Sequence, residues 1–190
     1  MELPGRTVAF RISNVEPQVT GLIQRLLFTQ GDEVRAGQGL YQIDPATFHA
    51  IADSAQASLR KARAAVVSAR LNVGRDRSLV KALAVSKQSL DNDVATLDQS
   101  EADVSSAQAS IESANINLAY TTVTSPITGR ASRSSVTEGA LVNADQTTSL
   151  VTVTQLNPIY VDVTQPIPTL LRLKQALKSG QLKSAGYDAA

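Results

Sequence analysis

The chain has 190 residues, 43% of them hydrophobic but only 4% aromatic, with no Trp, which is too little bulk for one large core and favours an elongated molecule of one or two small domains. Its 18 Lys and Arg against 17 Asp and Glu leave a formal charge of +1, so no global field points to nucleic acid. Zero Cys excludes disulfides, thiolate metal sites and cysteine nucleophiles.

The start, MELPGRTVAF, lacks a signal-peptide pattern, and no run reaches the roughly 18 apolar residues of a membrane span. Residues 6–13 and 15–28 are rich in β-branched and apolar residues. Gly31, Gly37 and Gly39 then supply turn positions with access to positive φ, so short strands joined by tight turns are predicted. At Ile43-Asp44-Pro45-Ala46-Thr47-Phe48 the hydrophobic period lengthens from two to about 3.6. Asp44 is placed as an N-cap, Pro45 as the first helical residue, and Ile43 with Phe48 as a hydrophobic staple.

Two long helices follow. Ala52, Leu59, Val66, Val73 and Val80 recur every seven residues, beside Ala55, Ala62 and Ala69; Leu90, Leu97, Val104, Ile111 and Leu118 repeat the interval. One narrow seam per helix is coiled-coil patterning, and the alanines allow close approach. Between the helices Ser86 reads as an N-cap with Val85 stapled to Leu90, although Ser89 stands where Glu or Gln would complete a capping box. Residues 45–81 carry seven Lys and Arg against Asp53 and Asp76, and residues 86–118 carry Lys87 against six acids. Arms of opposite sign favour folding back on each other, each exposed pair contributing about 0–1 kcal/mol. Gly74 weakens a helix by about 1 kcal/mol relative to Ala, so the arm is expected to fray or bend beyond it.

After Leu118 the sequence returns to strand patterning, with Pro126 restricting its strand to an edge or terminus. Residues 19–38 recur 108 positions later without a gap, matching at Thr20/Thr128, Gly21/Gly129, Arg25/Arg133, Thr29/Thr137, Gly31/Gly139, Val34/Val142, Ala36/Ala144 and Gln38/Gln146. One return at that interval suggests two halves of a pseudo-symmetric domain, since solenoids repeat every 20–50 residues. QLNPIYVDVTQ then reads as a strand and Ile167 to Lys178 as a short helix. With residues 6–13 they are expected to form a second β-module with uncovered edges. Residues 181–190 read as a loose tail.

The half-motif, the hairpin, the return through NLAYTTVTSPITG at 117–129 and the strand LNPIYVDVTQ at 156–165 together resemble the periplasmic adaptor, or membrane fusion, proteins of resistance-nodulation-division (RND) multidrug efflux pumps, of the AcrA/MexA type. The resemblance runs from about residue 4 to 178. It implies an α+β chain: a split lipoyl-type β-sandwich (14–44 and 119–153), an antiparallel α-helical hairpin (45–118, tip near 75–86) and part of a β-barrel (1–13 and 154–180). It also implies a ring of copies bridging an inner-membrane RND transporter and a TolC-type outer-membrane channel. At the tip the family engages the channel through an Arg, a Leu four residues on and a Ser seven further, matched here by Arg75, Leu79 and Ser86. Arg77 and Lys81 are secondary candidates. No cofactor, metal or catalytic step is implied. The family's signal peptide, lipid-bearing cysteine and membrane-proximal domain have no match here, so a fragment of a longer periplasmic parent is expected, with membrane anchoring belonging to that parent.

Three other classes compete with this reading. Lipoyl and biotinyl carriers present a modified Lys at a turn, and no Lys lies in a turn between the half-motifs outside the helices. Acid–base catalysis would rest on His49, the one His, which lies in the first turn of a helix without a nucleophilic partner in the pattern. An adaptor of an ABC exporter or type I secretion system shares the architecture, while the YVDVTQ strand and the short hairpin favour the efflux type.

Overall fold

The computed structural model describes residues 5–81, 85–163 and 167–180. In chain order its elements are β1 (Gly5–Val15), β2 (Gly21–Leu26), β3 (Glu33–Val34), β4 (Gly39–Ile43), α1 (Ala46–Lys81), α2 (Lys87–Ala119), β5 (Thr122–Thr124), β6 (Gly129–Ala131), β7 (Leu141–Val142), β8 (Val151–Val163) and α3 (Ile167–Lys178). The fold is α+β, a β-sandwich interrupted by a helical hairpin. Two four-stranded sheets, ordered β1-β8-β6-β3 and β5-β4-β2-β7, close on a core shared by both halves. Ile23, Val34, Tyr41 and Ile43 come from the first, Val142, Leu150 and Val153 from the second. Neither half could bury its apolar face alone, so the sandwich forms only when the chain returns from the hairpin.

The repeat is a pseudo-two-fold, because its contacts are reciprocal. Gly21 pairs with Val142 where β2 meets β7, and Val34 pairs with Gly129 where β3 meets β6. The Gly31 N–H donates to the Ala131 carbonyl at 3.0 Å, as Gly139 N–H does to that of Ile23 at 2.8 Å. Thr128 Oγ1 accepts from the Ala36 N–H at 3.0 Å, and Thr20 Oγ1 from the Ala144 N–H at 3.1 Å. Gln38 and Gln146 each close a turn by accepting from the N–H three residues back, Arg35 at 3.0 Å and Asn143 at 3.1 Å. Thr29 and Thr137 offer their carbonyls to Asp32 and Ala140. Of the eight identities only Arg25/Arg133, both exposed, lacks such a shared role.

Gly31 and Gly139 adopt φ of 88° and 81°, a region that side chains with a Cβ disfavour. Gly129 is needed for a different reason: a Cβ there would lie 2.5 Å from the Thr154 carbonyl oxygen of the neighbouring strand. Gly129→Ala is therefore expected to cost about 1–3 kcal/mol through overpacking. Gly74→Ala, in open space on α1, should stabilise by about 1 kcal/mol. Urea unfolding of both variants checks the contrast.

Several sequence expectations are corrected. The expected strand over 15–28 shrinks to Gly21–Leu26, because Val15 completes β1 and the chain turns before β2. Helix α1 begins at Ala46 rather than Pro45, while Asp44 Oδ1 still accepts from the Ala46 N–H at 3.0 Å. It also runs without interruption through Gly74 to Lys81, since the seam contacts outweigh the cost of one glycine. β1 and β8 pair from Val15↔Val151 to Gly5↔Val163 with one register shift between Ala9 and Arg11, so one ribbon, pairing residues 6–13 with the last strand, runs on from the sandwich strands. Its far part leaves Val8, Ile159, Tyr160 and Val161 exposed, and α3 leaves Ile167 and Leu171 exposed. The expected loose tail and residues 82–84 of the tip lie outside the described residues.

Ile43, where β4 hands over to the hairpin, and Val151, where β8 begins, are 108 positions apart. The hairpin and the ribbon therefore leave the sandwich at sites related by the same pseudo-two-fold. Among the described residues no helix is long and apolar enough to cross a membrane.

Candidate functional site

The hairpin forms because each helix carries one apolar stripe. On α1 the seam residues Ala52, Ala55, Leu59, Ala62, Val66, Ala69, Val73, Asp76 and Val80 alternate by three and four and are drawn in from solvent, as are Phe48 and Asn72. On α2 they include Leu90, Leu97, Val104, Ile111 and Leu118, as the seven-residue spacing predicts. Alternate positions on α2 are Asp93, Ser100, Ala107 and Ala114, a small and polar row that the sequence reading did not anticipate. Burial is deepest at Leu59, Ala69, Val73 and Ala114. At about 1.5 Å per residue, the 36 residues of α1 span roughly 54 Å.

Near the distal end the seam turns polar. Asp76 occupies the row of Ala55, Ala62 and Ala69, and its Oδ2 accepts from Ser89 Oγ of the other arm at 2.8 Å. Ser89 thus ties the arms together where a Glu would have closed the capping box. The Ser86 hydroxyl accepts from the Ser89 N–H at 3.2 Å and caps α2 in an extended conformation. Replacing Ser86 with Ala should cost about 1 kcal/mol locally, read as faster amide exchange in the first turn of α2.

Arg75 and Leu79 lie one turn apart on α1, hence on one face. Both are exposed, Leu79 by 42%. The Arg75 guanidinium donates from Nη2 to Asn72 Oδ1, and the Ser78 hydroxyl donates to the Arg75 carbonyl at 2.7 Å. Asn72 orients a guanidinium that has no acidic partner among the described residues. Among the described hydrogen bonds Ser86 serves only as an acceptor and is bonded to neither Arg75 nor Leu79. Arg77 is exposed; the side chain of Lys81 lies outside the described residues. Asn72 and Asp76 are the tip residues that sequence reasoning missed. Asp76 carried a signal, since it breaks a row of alanines.

The two arms lie against each other, as their opposite charges favour. One ion pair, Arg70 with Glu101 at 2.9 Å, joins them among the described residues. Apart from Asp76 and Asp93, which stand in the seam rows, the other described charged side chains of the hairpin are exposed. His49 is exposed in the first turn of α1. Among the described residues no group of three or more His, Cys, Asp or Glu side chains is placed to hold a metal.

Residues 11–154 match the family described as "RND MFP, barrel-sandwich hybrid domain". The chain is 54% identical over 188 residues to the multidrug efflux pump subunit AcrA of Escherichia coli K12, covering 99% of this chain and 47% of that protein. It is 52% identical over 189 residues to the multidrug resistance protein MexA of Pseudomonas aeruginosa, covering 100% and 46%. A crystal structure of a MacA-MexA chimera containing the P. aeruginosa MexA α-hairpin matches with a TM-score of 0.52 at 37% identity, over 80% of this chain and 50% of that one. The chain thus spans about half the length of the curated relatives it matches.

Proposed function

The chain belongs to the RND membrane fusion protein family, and from that premise we propose that it is the sandwich-and-hairpin part of a periplasmic adaptor in a tripartite multidrug efflux pump. In this reading residues 14–44 and 119–153 form the hub and 45–118 the reaching arm. Residues 1–13 and 154–180 belong to a β-barrel module that the parent completes. The arm engages a TolC-type outer-membrane channel through Arg75, Leu79 and Ser86, copies of the chain surround the conduit, and the parent's other parts meet the inner-membrane transporter. The work is mechanical and recognitional, with no catalytic step.

The observation that carries the reading is the exposed guanidinium of Arg75, held by Asn72 and without an acidic partner among the described residues, one turn from an exposed Leu79, at the far end of a long two-helix arm. A planar fork of donors beside a small apolar anchor suits carbonyls or carboxylates on a protein surface. Site-directed photo-crosslinking in cells from positions 75, 79 and 86 tests it. Adducts with the outer-membrane channel are expected; adducts with an ABC exporter's partners, or none, would overturn it.

A further inference from the structure

The three residues of the proposed tip site stand on two arms, Arg75 and Leu79 on α1 and Ser86 at the N-cap of α2. Their mutual placement depends on contacts across the seam, and the seam changes character there. Val73 is the last deeply buried residue of α1, and the row that begins Ala55, Ala62 and Ala69 continues with the half-buried Asp76. A fourth alanine would fit the seam without the desolvation that a carboxylate suffers. Small apolar side chains, however, pack almost equally well at neighbouring registers, whereas a directional bond is satisfied at one.

We propose that Asp76 and Ser89 are positioning residues for recognition at the tip: their bond holds Ser86, on one arm, at a set place relative to Arg75 and Leu79, on the other. The inference rests on the reading of the tip given above and adds what keeps its two sides in register. Ser89 Oγ donates to Asp76 Oδ2 at 2.8 Å, and the Ser89 N–H donates to Ser86 Oγ at 3.2 Å. Two consecutive bonds thus lead from the residue next to Arg75 to the hydroxyl of Ser86. Among the described residues one other side-chain hydrogen bond joins the arms, Arg70 to Glu101, and it lies nearer the base between exposed groups. A lone polar contact in an apolar seam fixes register at a cost in stability.

The same path settles what each arm has left to offer. The Ser86 oxygen accepts from the Ser89 N–H, so its hydroxyl hydrogen is free to donate to a partner. Arg75 spends Nη2 on Asn72 Oδ1 and keeps its other N–H groups. Each arm therefore contributes donors, and a partner must meet them with acceptors at a matching separation. Asp76 and Ser89 are half-buried and contribute that separation rather than a contact of their own.

Photo-crosslinking from position 79 of the full-length parent in cells tests this. Ser89→Ala is expected to lower the yield of channel adducts about fivefold, the weight of one net hydrogen bond, and Ser89→Thr, which keeps the hydroxyl, to restore it. Asp76→Ala should match Ser89→Ala, and the two together should be no worse than either; a double loss near the product, about 25-fold, would show independent effects and overturn the inference. The chain has no Cys, so spin labels at Leu71→Cys and Asn92→Cys, both exposed, report the separation of the arms in the purified parent. One narrow distance is expected, broadened by Ser89→Ala and narrow again in Ser89→Thr. An unchanged distance or adduct yield in Ser89→Ala overturns the inference, as does loss of helical circular dichroism, which would make the pair merely structural. If the parent with its natural Asp76 and Ser89 gives no adducts while Ser89→Ala still broadens the distance, the channel reading fails and the bond's hold on the arms stands.

Discussion

Tyr41→Ala is expected to remove about 3–5 kcal/mol, a large share of the roughly 5–15 kcal/mol that holds a domain folded, and so to loosen the sandwich and the base of the hairpin. Tyr41 is fully buried between the sheets, packs edge-on to Phe28 with ring centroids 5.4 Å apart, and comes from the first half of the chain. Its Oη lies 2.7 Å from Ser134 Oγ and donates to the Leu150 carbonyl at 3.0 Å, both in the second half. The residue therefore joins the halves by packing and by hydrogen bonding. Tyr41→Phe separates the two contributions. The Leu150 carbonyl keeps a bond from the Ser135 hydroxyl at 2.9 Å, so the loss should stay near 1 kcal/mol. Urea denaturation of both variants measures the difference.

The same residue gives a pH signature. Burial raises the Tyr41 phenol above its ordinary value of 10.0, against a lowering hydrogen bond from Ser134. Above pH 10 the unfolded chain loses this proton before the folded one does, so stability falls as pH rises beyond that point and is unaffected below it. Tyr41→Phe should flatten that part of the alkaline slope. An unchanged slope would show that the phenol ionises equally in both states.

The second large effect is functional. Arg75→Asp combined with Leu79→Ser is expected to weaken binding to the outer-membrane channel by at least about 30-fold, the scale of a hot-spot loss of 2 kcal/mol or more, and to restore drug sensitivity in cells that depend on the parent protein. Helical circular dichroism should be unchanged, because both side chains are exposed and lie outside the seam. Loss of helicity would instead mark the pair as structural. Unchanged efflux with the fold intact would remove both residues from the recognition surface.

Much of this architecture was legible in the chain because it depends on period and spacing. The seven-residue seam of Leu59, Val66 and Val73 predicts a helical arm wherever it is placed, and Gly31 and Gly139 announce turns that need positive φ. Arg75, Leu79 and Ser86 are singled out by resemblance alone, since an exposed Arg and Leu look ordinary in isolation. What was not legible depends on partners distant in sequence. Nothing within residues 5–15 reveals that β1 pairs along its whole length with β8. Charge totals for the two arms, similarly, do not say which side chains reach each other.

By itself the sequence determined a duplicated half-sandwich, an inserted antiparallel hairpin and the register relating the halves, because local steric and hydrophobic rules set these. Only the tertiary structure decided that Gly129 must be bare against the Thr154 carbonyl, that Asp76 and Ser89 tie the arms near their end, and that most charges of the hairpin face outward. Each is a meeting of residues from different elements, and which atoms meet there is fixed by the packing of whole strands and helices rather than by the residues on either side.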